Sequence, residues 1–189
     1  MPDVAGSHLD DALLALGGTT VAIAEAPEHV PDSRGLYAVY ASKNVWEELG
    51  VGWRDGPLYV GKVERSLVSR DIGAHFTTGK TGSSTLRRSL AALLRDPLEL
   101  AAIPRNVTKP SRFANFALEQ IGDEQLTEWM WANLRIAVWA APESVSSLVL
   151  VERAVLTHLE PPLNLKDVPN PSRRLSAARA VMASLAKAY

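Results

Sequence analysis

The stretches Gly-Leu-Tyr-Ala-Val-Tyr-Ala at residues 35–41 and Pro-Leu-Tyr-Val-Gly at residues 57–61 decide the fold of this chain. Each is a short run of aromatic and apolar residues with the composition of a β-strand. Because alternate side chains of a strand share a face, two such strands paired as a hairpin would place Tyr37 and Tyr59 side by side. We therefore predict two neighbouring strands of a central sheet and a pair of adjacent phenols.

Helices are predicted on both sides of these strands. Apolar spacing and helix-ending Gly and Pro residues predict helices over 8–16, 64–76, 85–94, 123–134, 142–159 and 171–187. The remaining segments are an edge strand within 19–24, a loop around Pro27 and Pro31, a polar excursion over 42–56 and a third core strand over 135–140. The predicted fold class is α+β: a small central mixed β-sheet of about three core strands flanked by helices, with a helical insertion and a C-terminal helix.

Charge is distributed unevenly along the chain. Residues 1–33 hold six acids and no Lys or Arg, whereas residues 62–95 hold seven bases and two acids, a net +5. We predict an acidic N-terminal segment at 1–33, a main domain at 34–166 with an insertion at 98–133, and a basic C-terminal helix at 167–189 packed on the same domain. The basic segments favour a phosphate-bearing partner, even though the formal net charge is only −1.

Composition excludes several classes of function. The 189 residues suit one domain with a full-sized core, and the lack of cysteine excludes disulfides, thiolate metal sites and cysteine nucleophiles. No apolar run approaches the roughly 20 residues that cross a bilayer, and the N-terminus has no basic region typical of a secretory signal. We therefore expect a cytoplasmic protein without a membrane partner.

Glu152 is the strongest candidate for a metal ligand. On the predicted helix 142–159 it falls near one face with Val149, Val155 and Leu156. A carboxylate in an apolar stripe is destabilised by desolvation unless a cation or a proton meets it. A bound Mg²⁺ would supply that cation, and an ion pair with an internal arginine is the alternative.

The two strand runs, with Arg70, His75, Glu152 and Asn164 downstream, resemble the GIY-YIG nuclease family, which is named for such runs. Leu36 and Val60 stand where the family has Ile, and both keep strand character. Lys62 follows the second run, as in many members. The helix glutamate followed 12 residues later by an asparagine after proline is similar to the excision-repair branch of the family.

The resemblance implies a catalytic set of Tyr37, Tyr59, Arg70, His75, Glu152 and Asn164. The two tyrosines would align and deprotonate a water, and which of them is the base is left open. Arg70 would stabilise charge on the phosphoryl oxygens, His75 would support proton transfer, and Glu152 would hold Mg²⁺ or Mn²⁺. Asn164 would hold its loop against the site.

Two features depart from the family pattern. The step from Arg70 to His75 is five residues, where compact members have four. Gly82 stands where some members carry a second histidine in the loop after the helix. The first departure concerns the role of Arg70, and the second weighs against a two-histidine mechanism.

Seven basic residues are candidate contacts to nucleic acid: Lys62, Arg65, Lys80, Arg87, Arg88, Arg173 and Arg174. The alternative is that they are ordinary charges on solvated helix faces. Trp46 and Trp53, between the two strand runs, are the better candidates among the tryptophans for stacking on bases.

Three functional hypotheses follow from the sequence. The leading one is a metal-dependent endonuclease that hydrolyses DNA, with RNA left open as a substrate. The second is a catalytically inactive nucleic-acid-binding module on the same fold, and the third is a structural or protein-interaction role. The oligomeric state, the substrate structure and the role of residues 98–133 are not determined by the sequence.

Overall fold

A computed structural model of the protein describes residues 4–67, 76–106 and 114–189. Within these ranges the chain forms seven α-helices and six β-strands. In chain order they are α1 Val4–Leu16, β1 Val21–Ala22, α2 Ala26–His29, β2 Gly35–Ala41, α3 Lys43–Leu49, β3 Tyr59–Val63, α4 Thr85–Leu93, β4 Ala102–Ile103, β5 Ala117–Leu118, α5 Gln120–Asn133, β6 Leu134–Ala140, α6 Leu148–Leu159 and α7 Arg173–Ala188.

Contacts divide the chain into two compact units. The first comprises Met1–Ser42, Arg54–Gly73 and Leu134–Pro171, and the second comprises Lys43–Trp53, Ala74–Asn133 and Ser172–Tyr189. The first unit therefore contains both predicted motif strands, Glu152 and Asn164. The whole insertion 98–133 and the C-terminal helix α7 belong to the second unit.

The first unit is built on a four-stranded sheet in the order β1-β6-β2-β3. All three pairings are antiparallel, so the expectation of a mixed sheet is wrong, while the α+β class is confirmed. β2 has the predicted bounds, and β6 is the predicted third core strand. The predicted edge strand is β1, and β3 forms the opposite edge.

One face of this sheet carries the core of the first unit. Leu36, Ala38 and Val60 from β2 and β3 pack with residues of α1 and α6. Strand alternation turns Tyr37, Val39 and Tyr59 toward the other face. The alternation predicted from the sequence is thus realised, with Leu36, Ala38 and Val60 on one face and the two motif tyrosines on the other.

Three local predictions in the first 160 residues need correction. The segment around Pro27 is helical rather than a loop. A 3₁₀ turn at Ile23–Glu25 leads directly into α2. Pro27 is tolerated in the first turn of α2 because a backbone N–H there has no partner within the helix. The polar excursion 42–56 contains α3. The helix carrying Glu152 begins at Leu148 and not at Pro142. Ser147 occupies its N-cap position, but the Ser147 side chain forms no capping hydrogen bond.

The second unit is largely helical. α7 packs on α4 and on β4, and β4 pairs antiparallel with β5. Ser84 is the N-cap of α4, and its hydroxyl accepts a hydrogen bond from the backbone N–H of Arg87. The predicted insertion is thus a small β-ribbon followed by α5. Most of the predicted helix 64–76 lies outside the described residues.

Among the helices in the described ranges, none combines the length and the apolar character that crossing a membrane requires.

Candidate active site

Tyr37 and Tyr59 lie side by side, as the sequence predicts. In the β2–β3 register Tyr37 pairs with Gly61 and Val39 pairs with Tyr59, so the tyrosines are diagonal neighbours. Their ring centroids are 6.1 Å apart, with the rings tilted by 40°. Both are buried, Tyr37 at 1% exposure and Tyr59 at 7%. The pair is therefore held in a fixed arrangement within the sheet.

Gly61 makes room for the ring of Tyr37. A Cβ atom on Gly61 would lie 2.5 Å from the Tyr37 hydroxyl oxygen and 2.6 Å from Cζ, both far inside van der Waals contact. A glycine inside a strand commonly marks such a close approach. The glycine of the second run is thus required by the tyrosine of the first.

Asn164 holds the free edge of β3. Its Oδ1 accepts a hydrogen bond from the Val60 N–H at 3.0 Å, and its Nδ2 donates to the Val60 carbonyl at 2.8 Å. The Leu163 N–H adds a bond to the Leu58 carbonyl at 3.0 Å. The side-chain amide satisfies the two backbone groups that an edge strand would leave unpaired, and this places the loop after Pro162 against β3.

Glu152 occupies a half-buried position on α6. Its neighbours Val155 and Leu156 are buried in the core, but Val149 is 42% exposed, so the predicted apolar stripe does not extend to Val149. Glu152 forms no hydrogen bond or ion pair with any residue in the described ranges. The alternative of an internal arginine partner therefore finds no support among those residues.

The surroundings of Glu152 favour its neutral form. Burial raises the pKa of its carboxyl group above the ordinary 4.5, and the negative charges of Asp167 and Glu64 raise it further. The positive charges of Lys62 and Lys166 act in the opposite direction. A half-buried carboxylate with acidic neighbours is stabilised in its charged form by an additional cation.

Lys62 lies near Glu152 but has a closer partner. Its Nζ is 2.5 Å from Oε1 of Glu64. This hydrogen bond, with the negative charges of Glu64 and Glu152, raises the pKa of Lys62 despite partial burial. Lys62 is therefore held as a cation beside Glu152, and any contact it makes with phosphate competes with Glu64.

The residues around Glu152 fit a hard divalent cation that keeps waters and substrate oxygens as ligands. Mg²⁺ is usually bound by one or two carboxylates together with waters and phosphates, and Glu152 supplies one such carboxylate. No cluster of three or more His, Asp or Glu side chains able to hold a metal occurs in the described part of the chain. The arrangement thus fits Mg²⁺ or Mn²⁺ bound together with substrate, rather than a closed protein cage.

Three of these features are arranged along β3. Tyr59 faces Tyr37, Val60 bonds Asn164, and Lys62 interacts electrostatically with Glu152. Tyr59 and Lys62 are separated by about 10 Å along the strand. Alternation places these two side chains on opposite faces of β3.

Several predicted site residues remain untested by these contacts. Arg70 and His75 lie outside the described residues. Arg65, Lys80 and Arg173 are exposed, which is compatible with a contact to nucleic acid.

Arg174 is also exposed but is already engaged within its own unit. Its guanidinium packs on Gly50, which has a φ of +62°; a Cβ there would lie 2.9 Å from Cζ of Arg174. The arginine therefore lies over the end of α3, and a contact with phosphate would have to share its guanidinium with this packing.

Arg87 and Arg88 are not surface cations, contrary to the prediction. The Arg87 side chain is fully buried and forms an ion pair with Asp123, with Nη2 and Oδ1 2.5 Å apart. Arg88 is 6% exposed and donates to the Gly82 carbonyl at 2.9 Å. Both guanidinium groups are used inside the second unit, so burial removes them from the set of phosphate contacts.

Trp46 is likewise excluded as a base-stacking residue, because it is fully buried. Trp53 is 49% exposed and packs edge-on against Trp46, with ring centroids 5.5 Å apart. Of the two candidates, only Trp53 presents a ring to solvent.

The sequence reasoning missed two residues that shape the candidate site. Glu64 and Asp167 influence the charge of Glu152, although they lie in loops that carry no recognisable motif. Glu64 follows the second run by only a few residues and could have been found from that position. Nothing in the sequence near Asp167 indicates that this residue lies close enough to Glu152 to influence its charge.

Comparison with known families adds one finding. The family model for the GIY-YIG catalytic domain matches residues 53–183, more than half of the chain. The matched range includes Tyr59, Lys62, Glu152 and Asn164, and it begins after the strand that carries Tyr37. No significant match was found among curated proteins or among solved structures.

Proposed function

Because the chain belongs to the GIY-YIG catalytic domain family, we propose that it is a metal-dependent endonuclease that hydrolyses DNA phosphodiester bonds with an activated water. The family is one of nucleases, so a nucleic-acid substrate follows from membership. The choice of DNA, the metal requirement and the residue roles are the proposal. The observation that carries it is Glu152: a half-buried carboxylate that forms no hydrogen bond or ion pair with the described residues and whose pKa is raised by burial.

Each residue has a distinct role in the proposed reaction. Tyr37 and Tyr59, fixed by the sheet, would orient the attacking water and accept its proton. Lys62 would add positive charge near the phosphate, and Asn164 would keep β3 in register with its loop. Arg70 and His75 would stabilise the developing charge and assist proton transfer.

Glu152 would hold a divalent ion. When bound, Mg²⁺ or Mn²⁺ would neutralise phosphate charge and favour ionisation of water. The surroundings of the carboxyl group support this role because a cation offsets both its burial and the charges of Glu64 and Asp167. The 12-residue step from Glu152 to Asn164 further supports a nuclease of the excision-repair type, whose substrates would include distorted or branched DNA.

The test is cleavage of supercoiled plasmid, branched DNA and single-stranded RNA, with Mg²⁺, Mn²⁺ or chelator. We expect metal-dependent nicking of DNA by the wild type and a loss of about 10²- to 10³-fold in Glu152→Gln, comparable to removal of one electrostatic catalytic group. The matched control is Glu143→Gln, which removes the same charge at an exposed position in the same unit.

The possible outcomes separate the hypotheses. Cleavage that survives Glu152→Gln would contradict the site assignment. Salt-sensitive DNA binding without cleavage under any metal condition would favour the catalytically inactive binding module. Cleavage of RNA in preference to DNA would change the substrate and leave the chemistry intact.

A further inference from the structure

The second unit contains a loop whose exposed surface carries no acid. We call residues 77–84, which lead into α4, the Gly79 loop. Thr77, Gly79, Lys80 and Ser83 are exposed, whereas Thr81, Gly82 and Ser84 are buried. No Asp or Glu occurs in the loop, so Lys80 sets the charge that it presents to solvent.

A second cation lies against the same loop. A Cβ on Gly82 would be 2.8 Å from Cγ and 2.9 Å from Cδ of Arg105, so the aliphatic part of Arg105 packs directly over this glycine. Arg105 is exposed, which leaves its charge at the surface. The missing side chain at Gly82 thus brings Arg105 beside the segment that carries Lys80.

A buried ion pair fixes the shape of the Gly79 loop. Asp123 of α5 accepts two hydrogen bonds from the loop. The Gly79 N–H donates to Oδ2 at 2.6 Å, and the Thr81 hydroxyl donates to Oδ1. Arg87 of α4 donates through Nη2 to Asp123 at 2.5 Å and through Nε to Thr81 Oγ1 at 3.0 Å. The side chains of Arg87 and Asp123 are 0% and 4% exposed. The loop is therefore bound to the same buried carboxylate through both Gly79 and Thr81.

The buried ion pair between Arg87 and Asp123 adds little to the free energy of unfolding, but it can hold the loop in one conformation. Desolvation of two charges offsets most of their attraction, so a buried ion pair contributes little net stability. It does specify one loop conformation, and a surface ordered in advance loses less conformational entropy when it binds a partner. Arg87 also neutralises Asp123, which keeps negative charge away from Lys80.

We propose that the Gly79 loop and Arg105 form a preordered surface for the phosphate backbone of nucleic acid, with Arg87, Asp123 and Thr81 as positioning residues. The partner follows from the chemistry, since phosphate groups are contacted by Lys and Arg side chains and by backbone amides in exposed polar segments. The inference rests on the proposed function for the presence of a nucleic-acid substrate, and it assigns the element that holds the backbone.

The first test is the salt dependence of binding to a labelled DNA duplex in the presence of chelator. Each lost phosphate contact makes the slope of log affinity against log salt concentration shallower by about 0.9. Between about 50 and 200 mM salt, the affinity of such a variant therefore falls about threefold less than the affinity of the wild type. We expect this change in Lys80→Ala and in Arg105→Ala. The control is Lys43→Ala, an exposed lysine of the same unit that lies 3.9 Å from Glu47. Wild-type slopes in both variants would overturn the proposal.

The second test separates positioning from folding. Thr81→Val removes the hydroxyl that joins Asp123 and Arg87 but keeps the side-chain shape, whereas Thr81→Ser retains the hydroxyl. We expect Thr81→Val to weaken DNA binding about two- to tenfold and Thr81→Ser to bind as the wild type does. In a Lys80→Ala/Arg105→Ala background, Thr81→Val should cause no further loss. A Thr81→Val protein that is less stable to urea yet binds DNA normally would overturn the positioning role.

Failure of the inference is distinguishable from failure of the proposed function, because binding is measured without metal. Loop-dependent binding without cleavage would support the surface and contradict the activity. Metal-dependent cleavage with wild-type salt slopes in the loop variants would support the activity and overturn the surface. No detectable DNA binding by the wild type would overturn both.

Discussion

At the scale of single residues, the contact between Gly61 and Tyr37 shows how one motif run constrains the other. The two residues are paired across β2 and β3, and the Tyr37 ring covers the site where a Cβ on residue 61 would lie. Because Tyr37 is buried in the sheet, its ring has little space into which to move. Glycine is therefore required here by sterics and not by backbone conformation.

Gly61→Ala should consequently displace Tyr37. We expect the free energy of unfolding to fall by about 1–3 kcal/mol, the usual cost of overpacking, and cleavage to fall with it. The matched control is Gly56→Ala, where a Cβ would meet nothing within 4 Å. Urea denaturation of both variants measures the difference, and equal stabilities would show that Tyr37 is not confined as described.

The protonation of Glu152 leads to a prediction about pH. Its pKa in the folded protein is raised above 4.5, chiefly by burial, so the native state binds this proton more tightly than the unfolded state does. The stabilisation is present below the ordinary pKa and is lost as pH rises through the raised value. In chelator, Glu152→Gln should therefore gain stability relative to the wild type as pH rises from about 4 to 8, as measured by thermal unfolding. A difference independent of pH would contradict the shift.

At the scale of elements, β3 is the part of the first unit on which the candidate site depends. It carries Tyr59, Gly61 and Lys62 at a sheet edge, and the amide of Asn164 completes that edge. An edge strand without this partner would expose the backbone groups of Val60. Asn164 thus has an architectural role close to the candidate catalytic residues.

Asn164→Ala should leave the buried N–H and C=O groups of Val60 without side-chain partners. We expect a loss of about 1–3 kcal/mol in the free energy of unfolding for the unsatisfied groups, measured by urea denaturation. Asn170→Ala is the control, because the amide of Asn170 donates to Glu160 at an exposed position, and surface changes usually stay within about 0.5 kcal/mol. Similar losses in the two variants would argue against the bonding of β3 by Asn164.

At the scale of the whole molecule, metal binding and folding are linked. A cation that binds the folded protein and not the unfolded chain stabilises it by mass action, by about 2.7 kcal/mol at 100 times its dissociation constant. This linkage provides a readout of the proposed metal site that does not require catalysis.

Mg²⁺ and Mn²⁺ should raise the thermal unfolding temperature of the wild type without DNA, with little effect on Glu152→Gln. The reason is that Glu152 supplies the carboxylate, and its acidic neighbours favour an added cation. Glu143→Gln should respond as the wild type does. An equal response from Glu152→Gln would place the metal elsewhere.

The sequence by itself determined the features that local patterns encode. The strand alternation in 35–41 and 57–61 predicted that Tyr37 and Tyr59 lie side by side, because alternation is set by neighbouring residues along a strand. The α+β class and the third core strand were also predicted from the sequence.

Only the tertiary structure decided which side chains meet across long stretches of chain. Arg87 and Asp123 are 36 residues apart, and Val60 and Asn164 are 104 apart. Such pairs turn a predicted surface arginine into a buried ion pair and a loop asparagine into the partner of a strand. Their burial and pairing depend on how distant elements pack, and the spacing of residues along the sequence does not contain that information.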